Sequence, residues 1–261
     1  MKTLIFSLLV VLLVSSPYVN ATDKQNQAVI EIDAEDSAGP WGKSDGSGCG
    51  NKIVTAAFKA ADVNIKQRIL PYSRCKLEVI NGSIPACYSM SLSSELSGKV
   101  VFSALPLYVV HAEIISTDDN KFGIKHISKN DDIPGDAAIG IVNGYEYPQD
   151  IVKILSQKSK IYLLDSEATI LLMLKERRLD FGILMVDKLK TLAYVKKEAG
   201  MQDNRSFISI FESGKQPSHI GFSIADPLGI KLKEKFDSGY RKITYSGEKE
   251  KILSACQKGV L

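Results

Sequence analysis

Residues 65–90 read IKQRILPYSRCKLEVINGSIPACYSM. Ile65 to Leu70 is β-rich and reads as a strand. Pro71-Tyr72-Ser73 is a turn, with Ser73 placed to cap a short helix through Ile80. Asn81 and Gly82 stop that helix, and Ile84 to Met90 reads as a further strand. Strand, helix and strand in close succession form a crossover, the pattern of a parallel α/β sheet.

Working outward, Ala28 to Asp33 alternates as a strand does, and residues 36–48 form a turn-rich loop around Trp41, the only tryptophan. From Asn51, helical spacing puts Ile53, Val54, Ala57, Phe58 and Ala61 on one face. A second set of the same kind begins at Ala137. Strands are expected at Ala137–Val142, Ile161–Leu164 and Asp180–Met185. Helices are expected from Pro148 to Ser156, over Glu167–Arg177, and from Asp187 as a long Lys-rich helix ending at Gly200. Between the sets, Leu107 to Thr117 is long, apolar and β-branched. After the second set, Phe207–Phe211 and His219–Ile224 read as two strands. Helices follow from Asp226-Pro227 to Lys242 and from Glu248 to Lys258. The pattern is α/β: two lobes, each a mostly parallel sheet flanked by helices, with two crossover strands as a hinge. The expected organisation is residues 22–110 plus 221–261 for lobe one and 111–220 for lobe two.

The N-terminus carries an export grammar. Lys2 is a positive start, Leu4 to Val14 is an apolar run, and Val19-Asn20-Ala21 offers a cleavage site after Ala21. The run is shorter than the ~20 residues that span a bilayer. About 240 residues then remain, ample for one large core or two small ones. The formal net charge of the whole chain is only +3. Charges are interspersed, with none of the basic stripe of a nucleic-acid binder. The four cysteines are Cys49, Cys75, Cys87 and Cys256. Export implies oxidation and disulfides, in one of three connectivities, with buried free thiols as the alternative. Cys75–Cys87 is favoured, with Cys49–Cys256 as the second bridge. No CxxC spacing is present, and no metal or cofactor is expected.

Several phrases, in order, resemble the family 3 extracellular solute-binding proteins, the amino-acid-binding type of the periplasmic binding proteins. Residues 70–87 look like the family's strand–"PW.R"–helix–"NGEIDA" segment. Residues 89–96, SMSLSSEL, look like its "S.S.TPER" loop, and residues 102–108, FSALPLY, look like "FSDPLY". Residues 178–182 loosely match "GRLDAA", and residues 219–223 look like the return strand into lobe one. The resemblance implies a two-lobed fold and a solute held in the cleft. It also departs at the ligand clamp. The arginine of "TPER" falls on Leu96, the acid of "NGEIDA" on Pro85, and the second-lobe acid near Met185, with Asp187 two positions on. A standard α-amino acid is therefore not implied.

Candidate ligand-binding residues follow from strand ends and from this resemblance. The resemblance puts Trp41 at the position of the cleft aromatic, against a reading as a loop anchor. Tyr72 and Arg74 follow the second strand, and Arg74 is either an anion fork or a surface charge. Ser89, Ser91 and Ser94 lie beyond the third strand, as ligand donors or as an ordinary turn. Tyr145 and Glu146 follow the first strand of lobe two, and Asp187 follows its last. Asp165 and Ser166 read first as helix caps. His111 and His219 lie on the two crossings and are expected side by side at the hinge. Asn81 and Asn204 sit in glycosylation sequons, a pattern common by chance.

The expected function is that of a periplasmic, monomeric, non-enzymatic binding protein. It would close on a small polar solute for delivery to an ABC-type transporter permease or a membrane receptor. The alternatives are a ligand-free signalling or scaffold module, favoured by a cleft plugged with side chains such as Leu96 and Trp41, and an exported lyase, favoured by two cleft carboxylates of strongly raised pKa.

Overall fold

The computed structural model describes residues 28–128, 132–202 and 206–258. The expected export segment and the Asn204 sequon lie outside these residues. Lobe one contains β1 (Ile30–Glu35), α1 (Cys49–Ala60), β2 (Ile65–Leu70), α2 (Tyr72–Asn81), β3 (Ala86–Met90) and β4 (Val100–Phe102). The chain crosses on β5 (Tyr108–Thr117) into lobe two, with β6 (Ala138–Val142), α3 (Gln149–Leu155), β7 (Lys160–Leu164), α4 (Glu167–Lys175), β8 (Phe181–Val186) and α5 (Leu192–Glu198). It returns on β9 (Phe207–Ser223) to α6 (Gly229–Tyr245) and α7 (Glu248–Gln257).

The strands run β2-β1-β3-β9-β5-β8-β6-β7, with β4 also paired to β9. β1–β2, β1–β3, β6–β7 and β6–β8 are parallel, as the crossovers require. β9 is one 17-residue strand, not the two strands expected. Gly214 and Pro217 look like punctuation, but β5 pairs antiparallel along this stretch, with Val109 opposite Pro217 and His111 opposite Lys215. At its far end β9 pairs with β3 and β4, Gly221 lying opposite Cys87 and Phe102. One strand thus belongs to both sheets.

The predicted face of α1 is the observed one: Ile53, Val54, Ala57 and Phe58 are fully buried against Phe236, Tyr240 and Ile243 of α6. A Cβ on Gly239 would stand 1.8 Å from the Ala57 carbonyl, so the α1–α6 crossing depends on a residue without one. In lobe two, β8 lies between β5 and β6 and is buried at every position. It packs Phe181 and Ile183 with Ile139 and Ile151 on one side, and Leu184 with Ile170 and Leu174 on the other.

Several element ends differ from expectation for local reasons. α2 begins at Tyr72 after Pro71, so Ser73 is inside the helix and does not cap it. α5 is short: the Asp187 carboxylate first accepts the N–H groups of Leu189 and Lys190, both at 2.7 Å, and Thr191 then caps at Tyr194 N. Ser166 caps α4 by accepting from Thr169 N, the role its sequence position suggested. Disulfides join Cys75 to Cys87 and Cys49 to Cys256, with Cα separations of 5.7 Å and 6.1 Å. The first ties α2 to β3, and the second ties α7 to the start of α1.

The two histidines are not neighbours. His111 lies opposite Lys215 and His219 is four residues further along β9, about 13 Å away. His111 Nε2 is 3.3 Å from Glu113, whereas His219 Nδ1 lies in lobe one against Ser103. Burial lowers the His219 pKa. Among the described residues no helix is long and apolar enough to cross a membrane, and no cluster of three or more metal-ligating side chains occurs.

Candidate binding cleft between the lobes

Open α/β sheets present ligand sites beyond the carboxyl ends of their strands. Here the loops after β1 and β3 in lobe one face the loops after β6 and β8 in lobe two. Between them is a cavity of about 30 Å³, bounded by Glu35, Ser89, Tyr108, Tyr145, Lys190 and Ser218 among others. That is room for roughly two waters. The lobes are closed on each other.

Glu146, from the loop after β6, enters lobe one. The Tyr72 hydroxyl donates to its Oε2 at 2.5 Å, and the Ser91 N–H donates to the same oxygen at 3.1 Å. Lys76 Nζ stands 2.9 Å from Oε1 as an ion pair and donates to the Gly144 carbonyl at 3.0 Å. The Lys76 and Glu146 side chains are only 9% and 5% exposed. Burial is the largest influence on the Glu146 carboxyl and raises its pKa, against the opposing pull of Lys76 and Tyr72. Burial acts to lower the Lys76 pKa, but Glu146 and Glu95 outweigh it and the net shift is upward. Gly144 adopts φ +86°, and a Cβ there would meet Ser73 Cα at 3.0 Å, so glycine lets the two backbones approach.

On the hinge side, Trp41 stacks on Tyr108 with ring centroids 4.3 Å apart and planes 10° from parallel. Its Nε1–H donates to Asp187 Oδ2 across the lobe boundary at 2.7 Å. At the bottom of the cleft, Tyr145 of lobe two donates its hydroxyl to Glu35 at the end of β1. Glu35 is 1% exposed, and burial pushes its carboxyl up to about 7, with nearby Lys190 pulling the other way. Lys190 is paired with Glu167 at 2.5 Å, while the other Glu167 oxygen accepts the Met185 N–H. Ser89 and Ser218 also line the cavity, beside Glu35 and Tyr108.

Of the residues singled out in the sequence, Trp41, Tyr72, Ser89, Ser91, Tyr145, Glu146 and Asp187 converge on this interface. Arg74 does not: it is 68% exposed and pairs with Glu78 at 2.8 Å. Helical spacing explains the difference, since residue 76 lies one turn from Tyr72 on the same face and residue 74 lies on the other side. Ser94 is exposed in the turn before β4. Leu96 does not plug the cleft: it is fully buried in the core of lobe one, with Cys75, Met90 and Val100. Trp41 does occupy the interface. Glu35, Lys76, Tyr108, Lys190 and Ser218 were not singled out. Glu35 was within reach of the strand-end rule, and Lys76 within reach of its spacing from Tyr72. Lys190 and Ser218 are brought in by a turn and by the single long β9, which sequence spacing does not reveal.

The solved structures similar to this chain share its two-lobed architecture. A histidine kinase sensor domain with similarity to periplasmic binding proteins superposes with a TM-score of 0.71 at 14% identity, covering 87% of this chain and 94% of that one. A mutant of the arginine-binding protein ArgBP from T. maritima gives 0.68 at 17%, covering 86% and 93%. The substrate-binding protein of an amino acid ABC transporter gives 0.68 at 18%, covering 88% of this chain and all of that one. No family model and no curated protein matches the chain. At these identities the likeness establishes the fold.

Proposed function

We propose that this chain, which has the two-lobed fold of the amino-acid-binding periplasmic proteins, is an extracytoplasmic binding protein for a small polar solute. The similarity of fold to transporter-linked binding proteins and to a sensor domain supports handover to a membrane transporter or receptor. The two disulfides fit an oxidising compartment and an exported chain cleaved after Ala21. Lobe one is residues 22–110 with 221–261, and lobe two is residues 111–220. The observation that carries the reading is the cavity between the lobes itself. Glu35, Ser89, Tyr108 and Ser218 converge there, so a carboxyl and three hydroxyl-bearing residues line one small space. Polar groups that converge on a cavity between lobes suit a ligand's polar atoms. A solute larger than a few atoms enters only after the lobes part, and its contacts must outweigh those that now join them. Native mass spectrometry of protein purified without denaturation should show a bound small molecule. A thermal-shift screen of polar metabolites should find one that stabilises the chain. A chain that purifies bare, and that no metabolite in a broad screen stabilises, would remove this reading.

The volume of about 30 Å³ favours a second reading, a signalling module whose cleft is filled by its own side chains. That reading expects an unresponsive metabolite screen together with capture of a membrane receptor by the closed form. The condition set for an enzyme is met in part. Glu35 and Glu146 both have raised pKa values, but Glu146 is held by Tyr72, Ser91 and Lys76, leaving Glu35 alone for proton transfer. Binding without chemistry fits the site better.

A further inference from the structure

We infer that Glu146 is a resident ligand: its carboxylate fills a carboxylate-receiving site on lobe one, built by Tyr72, Lys76 and the Ser91 N–H, which takes a small external carboxylate once Glu146 withdraws. The three donors come from two elements of lobe one, the first turns of α2 and the loop after β3, so the site belongs to that lobe alone. The occupant comes from the other lobe, on the short loop between β6 and α3. Lobe separation therefore removes the carboxylate and leaves its receptor behind. The chemistry is specific for a carboxylate: a hydroxyl and a backbone N–H meet one oxygen, and an ammonium faces the other. Lys76 also contacts Glu95 of its own lobe at 2.6 Å, but Glu95 is 58% exposed, whereas Tyr72 is 2% exposed and faces Glu146. Leu96, at the position where the resemblance expects an arginine, lies in the core and brings no charge to the site. Lys76 provides the cation from a different element.

This arrangement makes closure and ligand entry competitive. An incoming carboxylate occupies lobe one only by displacing Glu146, so the internal group sets a threshold that a ligand must exceed. The inference concerns the proposed binding cleft but requires no physiological solute, so it and the binding function can fail separately.

The test uses the whole chain with Glu146→Ala and propionate as the probe, since propionate carries the same carboxylate on a short aliphatic stem. Calorimetric titration should show propionate binding the variant at least tenfold more tightly than the parent chain. Propionamide should not bind, and adding Lys76→Met should abolish the propionate signal. Equal propionate affinity in variant and parent, or binding that survives Lys76→Met, overturns the inference. If Glu146→Ala does not fold, the isosteric Glu146→Gln serves. Loss of the charge should loosen closure and increase acrylamide quenching of Trp41. Unchanged quenching in a folded Glu146→Gln chain also overturns it.

Discussion

Trp41 of lobe one donates its indole N–H to the Asp187 carboxylate of lobe two at 2.7 Å, while its ring lies flat on Tyr108. The same carboxylate holds the turn that leads into α5 through Leu189 and Lys190. One residue thereby fixes both a local turn and the contact between lobes. Trp41 is the only tryptophan and is 5% exposed, so its fluorescence reports on closure. Asp187→Ala should red-shift the emission and cost about 1.5–3 kcal/mol of stability, the range for hydrogen bonds to a charged group. An unshifted emission maximum would show that the indole contact does not hold the lobes together.

Glu35 predicts a pH dependence of defined sign. Its folded pKa is raised from 4.5 to about 7. A raised carboxyl favours the protonated folded state, so its contribution is complete below about pH 4.5 and is lost as pH rises through about 7. The difference corresponds to as much as about 3 kcal/mol. Urea unfolding of the parent chain should therefore lose stability between pH 5 and 8. Glu35→Gln should flatten that loss, and an equal slope in the two chains would assign the dependence to other groups.

The disulfides should differ in weight. Cys75–Cys87 closes a loop with a sequence separation of 12 and Cys49–Cys256 one of 207. Loop-closure entropy assigns them about 3 and about 5 kcal/mol respectively. Paired Cys→Ala variants compared by denaturant unfolding should show the larger loss for Cys49/Cys256. The reverse order would mean that the unfolded chain is already compact around α7.

Gly239→Ala should destabilise lobe one. The added methyl would sit 1.8 Å from the Ala57 carbonyl and 3.1 Å from Ala61 Cβ, so α1 and α6 must separate. Overpacking of this kind costs typically about 1–3 kcal/mol and is read by the fall in Tm. A Tm equal to that of the parent would show that the two helices slide apart freely.

The elements were legible where local chemistry is self-contained. The β-α-β unit at residues 65–90, the buried face of α1 and the Ser166 cap follow from spacing, propensity and turn residues. Both cysteine pairings coincide with those favoured from sequence. Arg74 shows where local reading stops: the residue type suited an anion site, but the helix turned it toward Glu78 and solvent. The stretch between the expected strands Phe207–Phe211 and His219–Ile224 is strand because β5, a partner about a hundred residues away, imposes continuity there.

The sequence by itself determined two parallel α/β lobes, a hinge and a cleft rich in aromatic and polar groups, because periodicity and turn chemistry act over a few residues. Only the tertiary structure decided what the cleft contains. Strand order brought Glu146 to Tyr72, Ser91 and Lys76, and Tyr145 to Glu35, across sequence separations of 55 to 110 residues. Desolvation then pushed the pKa values of the Glu146 and Glu35 carboxyls upward. Both effects depend on which surfaces meet, and that is fixed only when the two lobes close.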